Sequence, residues 1–159
     1  MDRPEIDITL WNGERFSMDY AAPLNFLTGP KLSGKSRFAA LLNRALPNAI
    51  LLSPVRGRTG EAALELLLEH LRRPLSDYLI VDTPEEGLTP GQQRAFMAEA
   101  RNYARWGLRP VFLVTGSAHI CDLSLMDQLC AVVAFESDRS VPRPLWGAAA
   151  AQAGAWLAA

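Results

Sequence analysis

The segment Gly29-Pro30-Lys31-Leu32-Ser33-Gly34-Lys35-Ser36 constrains this chain more than any other stretch in it. It fits G-x-x-x-x-G-K-S/T at every fixed position. The glycines let the backbone curl until successive N–H groups point inward, making a cradle for phosphate oxygens. The flexible Lys35 ammonium suits the β- and γ-phosphates of a nucleotide, and the Ser36 hydroxyl suits Mg²⁺. A helix beginning there adds its positive end. The motif carries this meaning only between a strand and a helix. Leu24–Thr28 is a short apolar run that reads as a buried strand, and Ser36–Ala45 sets Phe38, Leu41, Leu42 and Ala45 at helical spacing. Arg37 falls in the first turn of that helix and is counted with the cradle. Of sixteen basic residues only Lys31 and Lys35 are lysines, and both lie in this loop. Lys31 reads as a solvated charge near the nucleotide. The competing reading of the whole segment is a Gly/Ser turn with surface lysines.

The rest of the chain alternates strand and helix signals. Ile6–Trp11 and Arg15–Tyr20 flank Asn12-Gly13, a hairpin dipeptide. Ala49–Ser53, Tyr78–Val81, Val111–Thr115 and Ala131–Glu136 read as buried strands, and Glu61–Arg72 and Gln92–Trp106 as amphipathic helices. This order predicts an α/β fold with a mostly parallel central sheet flanked by helices, plus an N-terminal antiparallel hairpin. At 159 residues the chain suits one compact domain, placed over 1–141. Residues 142–159 read as a Pro-led linker and a C-terminal Ala/Trp helix. In that helix Trp146, Ala149, Ala153, Trp156 and Leu157 share a face, either packed as core or open to a protein partner.

Composition removes several function classes. A net charge of −1 gives no bulk reason to expect a nucleic-acid or membrane-surface binder. Two cysteines, Cys121 and Cys130, make neither a disulfide framework nor a zinc site, and they read as reduced thiols of a cytoplasmic protein. The acidic N-terminus does not resemble a secretory signal, and no apolar run is long enough for membrane insertion. His70 and His119 bring no catalytic triad with them.

A phosphate loop needs a carboxylate on a neighbouring strand to hold the Mg²⁺ water shell, and Tyr78-Leu79-Ile80-Val81-Asp82 supplies one at a strand's C-terminal edge. The longer stretch Val81-Asp82-Thr83-Pro84-Glu85-Glu86-Gly87-Leu88-Thr89-Pro90 resembles the second nucleotide motif and following turn of ABC-type ATPases. The match is closest to the SMC/RecF-like branch, with its approximate pattern apolar-D-E-P-E-E-G-L-H-P. The loop at 29–36 is similar to that branch's G-P-N-G-S-G-K-S, with Lys31 and Leu32 in place of Asn and Gly. Arg58-Thr59-Gly60-Glu61 before a Leu-rich helix resembles the signature segment, and Ala131–Glu136 resembles the closing strand. The resemblance runs from about Ile6 to Val141. It implies a P-loop NTPase in minimal form that binds ATP and Mg²⁺. In it Lys35 and Asp82 would act as catalytic groups, and Ser36 and Asp82 as metal ligands. Thr59, Gly60 and Glu61 would meet a nucleotide held by a second copy or a related ATPase subunit. Arg56, Arg58, Arg72 and Arg73 read as solvated charge, with contact to DNA or to a partner's phosphate site as the alternatives, and DNA binding itself is implied by the family alone.

Three departures bear on mechanism. Asp82 follows Lys35 by 47 positions, which leaves no room for the helical or coiled-coil insertion of the family. Thr83 stands where the family places its catalytic glutamate, and a threonine hydroxyl cannot take a proton from water near neutral pH. Gly116 stands where a histidine that senses the γ-phosphate is expected, with His119 three positions on as a loop histidine. Each missing group is typically worth ~10²–10⁴-fold in rate, yet ATP binding needs neither. The expectation is a protein that binds ATP and changes its partner engagement, with hydrolysis weak or completed by a partner. A ParA/MinD-like switch ATPase is one alternative, because Asp82-Thr83-Pro84 resembles its D-T-P-P. A non-enzymatic interaction module with a vestigial nucleotide site is the other.

Overall fold

A computed structural model describes residues 5–53, 59–73, 75–106 and 109–153. Among these residues eight strands and three α-helices follow one another as β1 Ile6–Thr9, β2 Arg15–Met18, β3 Leu24–Thr28, α1 Lys35–Ala45, β4 Ala49–Leu52, α2 Gly60–Arg72, β5 Tyr78–Asp82, α3 Pro90–Arg105, β6 Val111–Thr115, β7 Cys130–Ala134 and β8 Arg143–Trp146. Short 3₁₀ turns lie at Leu123–Leu125 and Gly147–Ala153. The main sheet has the order β4-β5-β6-β3-β7-β8. Its first five strands are parallel, and β8 closes the edge antiparallel to β7.

Parallel strands joined by helices are covered on both faces, so each of their positions must be apolar whichever way it points. That is why these strands read as continuous apolar runs. Phe26, Leu79, Val81, Val111, Leu113 and Val132 face one layer, packed with Leu67, Leu68 and Leu71 of α2 and Phe96, Met97 and Ala100 of α3. Their neighbours Leu27, Ile80, Phe112, Val114 and Val133 face the other, packed with Phe38, Ala39 and Leu42 of α1. The hairpin β1–β2 forms its own two-stranded sheet and completes this second layer through Ile6, Ile8, Phe16 and Met18. Phe16 and Phe135 both meet the Phe38 ring edge-on, with centroids 4.9 and 5.2 Å away. The fold is therefore the expected α/β one, with a mostly parallel six-stranded sheet, flanking helices and an N-terminal antiparallel hairpin.

The C-terminal stretch departs from the sequence reading. Arg143–Trp146 is not a linker but an edge strand, paired from Ala131↔Trp146 to Ala134↔Arg143. Proline suits that place, because an edge strand leaves one row of N–H groups unpaired in any case. Trp146 donates its indole N–H to the Tyr20 carbonyl at 3.2 Å, and Ala150 is fully buried against the α2–α3 layer. Described residues of the expected Ala/Trp helix form a 3₁₀ turn, while Trp156 and Leu157 lie outside the described residues. So do Arg56 and Arg58. No helix among the described residues is long and apolar enough to cross a membrane.

Candidate functional site

The loop Gly29–Gly34 joins the end of β3 to the start of α1, at the C-terminal edge of the sheet. Gly29 has φ +155° and Gly34 +95°, conformations that L side chains rarely adopt. Both glycines are also hemmed in. A Cβ at Gly29 would collide with the backbone carbonyl of Phe135 and lie 2.9 Å from its Cβ. At Gly34 it would meet the Trp11 indole at 2.8 Å. Leu32 adopts φ +63° with its side chain 85% exposed. Ser33 is buried and donates its hydroxyl to the Pro30 carbonyl at 2.6 Å, which tightens the curl.

Lys35 opens α1. Its Nζ donates to the carbonyls of Gly29 (2.7 Å) and Pro30 (2.8 Å), so the ammonium is held against the loop backbone. Burial pushes its pKa down, while Glu85 and Asp82 pull it partly back. Ser36 and Arg37 are exposed on the first turn, whereas Pro30 and Lys31 are exposed on the loop outside the cleft. The cleft itself holds about 360 Å³ and is lined by Trp11, Leu32, Ser33, Gly34, Lys35, Ser36, Arg37 and Arg139.

Two strands away, half-buried Asp82 ends β5 at the same sheet edge. Thr83 follows in a left-handed conformation, φ +57°, held by its N–H on the Val114 carbonyl at 2.8 Å. Its hydroxyl donates to Asp82 Oδ1 at 2.9 Å. Glu85 does not stand free as a base. It accepts from the Thr115 hydroxyl and the Gly116 N–H, each at 2.9 Å, tying the turn after β5 to the end of β6. Glu86 is exposed. His119 is exposed too, with Nδ1 3.3 Å from an Arg94 nitrogen. No cluster of three or more His, Cys, Asp or Glu residues able to hold a metal occurs among the described residues. A hydroxyl and one carboxylate fit Mg²⁺ all the same, because that ion keeps most of its waters and takes its other ligands from phosphates.

Thr59, Gly60 and Glu61 do not line the cleft. Thr59 is the exposed N-cap of α2 and makes no side-chain cap bond, and Gly60 (φ +60°) donates its N–H to the Gly87 carbonyl at 2.8 Å. The segment is therefore fixed against the turn that follows Asp82, with Glu61 exposed in the first helical turn. Arg72 and Arg73 are engaged by Glu99 and Glu69.

Two cleft residues carry no motif. Trp11 was legible only as the end of a hairpin strand, yet its ring lies against Gly34 with the Arg37 guanidinium 5.7 Å from its centroid. Arg139 comes from the turn after β7 and donates Nε to the Leu32 carbonyl at 3.3 Å. The only sequence signal for Trp11 was an aromatic residue beside the turn dipeptide Asn12-Gly13, and Arg139 had none.

No protein-family model and no curated protein sequence matches the chain. Solved structures do match its fold. They include cbiO1 from Clostridium perfringens, part of the ABC transporter complex cbiONQ, with TM-score 0.58 and 12% identity over 96% of this chain and 89% of that one. A dimeric bacterial ABC transporter cassette matches with TM-score 0.52 and 11% identity, covering 91% and 97%. The cytoplasmic domain of the Thermomonospora curvata type VII secretion ATPase EccC matches with TM-score 0.54 and 15% identity, over 86% of this chain but only 22% of that chain. The fold is thus shared with these ABC cassettes and with part of EccC.

Proposed function

We propose that this protein binds ATP–Mg²⁺ at the 29–37 loop and that its site binds the nucleotide better than it cleaves it. The reading rests on one arrangement: a glycine-forced phosphate loop opening into α1, with Asp82 at the same sheet edge. Gly29, Pro30, Lys31, Leu32, Ser33, Gly34, Lys35, Ser36 and Arg37 form the cradle and its rim. Within it, Lys35 exchanges its two carbonyl acceptors for phosphate oxygens, while Ser36 and Asp82 hold the metal and its water shell. The half-buried ring of Trp11 in the cleft wall gives the base a stacking surface, since aromatic rings favour offset stacking on flat π-systems.

Weak hydrolysis follows from the residues after Asp82. Thr83 donates its proton to Asp82 instead of accepting one from water, and Glu85 is held by Thr115 and Gly116. We place the chain with the SMC/RecF-like branch of ABC-type ATPases on the 81–90 segment. In that arrangement Thr59, Gly60 and Glu61 face the nucleotide of a second copy or of a related subunit that completes hydrolysis. With the Gly60 N–H taken by the Gly87 carbonyl, the exposed Thr59 hydroxyl, which makes no cap bond, is the group left for such a contact with phosphate.

The test is a titration of ATP–Mg²⁺ against wild type and Lys35→Ala. Size measurement with and without nucleotide and phosphate release follow on the same samples. Expected are Lys35-dependent binding, a nucleotide-dependent rise in mass, and turnover far below the ~1–10³ s⁻¹ of ordinary enzymes. Binding indifferent to Lys35 would refute the reading, and ordinary turnover would refute its mechanistic half.

A further inference from the structure

The turn after β7 brings a cation to the phosphate loop from the side opposite Asp82. Strands β7 and β3 are parallel neighbours, so the residues that follow them leave the sheet together. Phe135 donates its N–H to the Thr28 carbonyl at 2.9 Å, and its own carbonyl crowds Gly29. The turn beyond is internally locked. Arg139 donates its N–H to the Glu136 carbonyl at 3.1 Å, and Ser140 donates its N–H to Asp138 Oδ1 at 2.9 Å and its hydroxyl to Glu136 Oε2 at 3.0 Å. Arg139 sits at the tip with φ +60°, a conformation uncommon for a residue with a long side chain. Arg139 lines the cleft with Ser33, Lys35 and Ser36, and its Nε reaches the Leu32 carbonyl.

We propose that Arg139 is a ligand of the nucleotide's polyphosphate chain, an assignment that rests on the nucleotide reading above. Among the described residues its guanidinium makes one hydrogen bond, from Nε to the Leu32 carbonyl. That bond fixes the fork beside the loop and leaves the two terminal nitrogens for phosphate oxygens. A planar, always charged guanidinium anchored through Nε is pre-organised for bidentate phosphate binding. The same bond also holds Leu32 in its left-handed conformation, so a purely structural role must be separated from a ligand role.

The Leu32 position makes that separation. Glycine at 32 adopts φ +63° freely and needs no staple. ATP and tripolyphosphate, which has no base, are titrated against wild type, Arg139→Ala, Arg139→Lys, Leu32→Gly and the double variant Leu32→Gly/Arg139→Ala. Urea unfolding of each variant confirms that it is folded. Expected for Arg139→Ala is a ~10–100-fold loss for both ligands, the scale of charge-assisted hydrogen bonds. Expected too are partial loss in Arg139→Lys and, whatever Leu32→Gly does by itself, a loss in the double variant relative to Leu32→Gly as large as that of Arg139→Ala relative to wild type. Recovery of binding in the double variant, or unchanged affinity in Arg139→Ala, would overturn the assignment. A wild type that binds tripolyphosphate but not ATP would refute the nucleotide reading and leave a polyphosphate site. One that binds neither would refute both.

Discussion

Replacing Gly29 by alanine tests whether the phosphate loop depends on its contact with the turn after β7. The added Cβ would overlap the Phe135 carbonyl and lie 2.9 and 3.0 Å from the Phe135 Cβ and carbonyl carbon. These are backbone atoms or rooted in it, and Phe135 is fixed by its N–H bond to Thr28 and by its ring on Phe38. Nothing nearby can swing aside. Two costs add: about 1–3 kcal/mol for an L residue at φ +155°, and about 1–3 kcal/mol for overpacking. The sum is about 2–6 kcal/mol. At ~2–4 °C per kcal/mol in a domain of this size, the melting temperature falls by about 4–24 °C. Gly13→Ala is the control. It has φ +84° but nothing within 4 Å of its Cβ, so it bears the backbone cost alone. Urea unfolding of the three proteins gives midpoints at a common slope. Gly29→Ala should be clearly less stable than Gly13→Ala, and it alone should lose ATP affinity. Equal midpoints for the two variants would refute the claim that the β7 turn forms the back wall of the loop.

Thr83→Glu places a carboxylate where Thr83 now donates to Asp82. Phosphate release should rise by ~10²–10⁴-fold, dependent on Lys35, and no rise with ATP still bound would count against the proposed deficit. Burial lowers the Lys35 pKa, so the folded state disfavours its charged form, and that penalty is complete at neutral pH. Lys35→Met should therefore match or exceed wild type in nucleotide-free stability at pH 7. Its advantage should shrink as pH approaches the ordinary lysine value of 10.5, where the unfolded chain also loses the proton. A growing advantage would contradict the sign. Burial pushes the Cys121 thiol up to about 12 from 9.0, and raises Cys130 in the same direction. Both should resist a thiol reagent at pH 8 until the chain is denatured. Stability should fall as pH climbs past 9, where only unfolded thiolates form.

The parallel strands were legible because a strand covered on both faces must be apolar throughout, so β3, β5, β6 and β7 stand out as runs. The phosphate loop was legible because its glycines are demanded by backbone geometry, and Asp82 because it closes an apolar strand. Strand β8 was hidden by Pro142-Arg143-Pro144. Prolines usually mark a linker, but an edge strand tolerates them on its unpaired side. The fate of Glu85 was hidden for a different reason. Its charge suggests a candidate base, but its role is set by Thr115 and Gly116, thirty and thirty-one positions away. Only the register of β5 against β6, Asp82 opposite Val114, brings those groups within reach.

The same distinction explains the two cleft residues without a motif. Local sequence encodes what a backbone segment must do by itself, and the loop's curl is such a property. Base and phosphate contacts need side chains from elsewhere, and the fold decides which ones arrive. Hairpin packing on α1 delivers Trp11, whose ring already fills the space that any side chain at Gly34 would need. Parallel pairing of β7 with β3 delivers Arg139 to the carbonyl of Leu32. Gly34 and Gly29 are thus required twice, once for their φ angles and once for the Trp11 ring and the Phe135 backbone that crowd them. Enlarging either glycine would strain the loop and also displace the element that walls it.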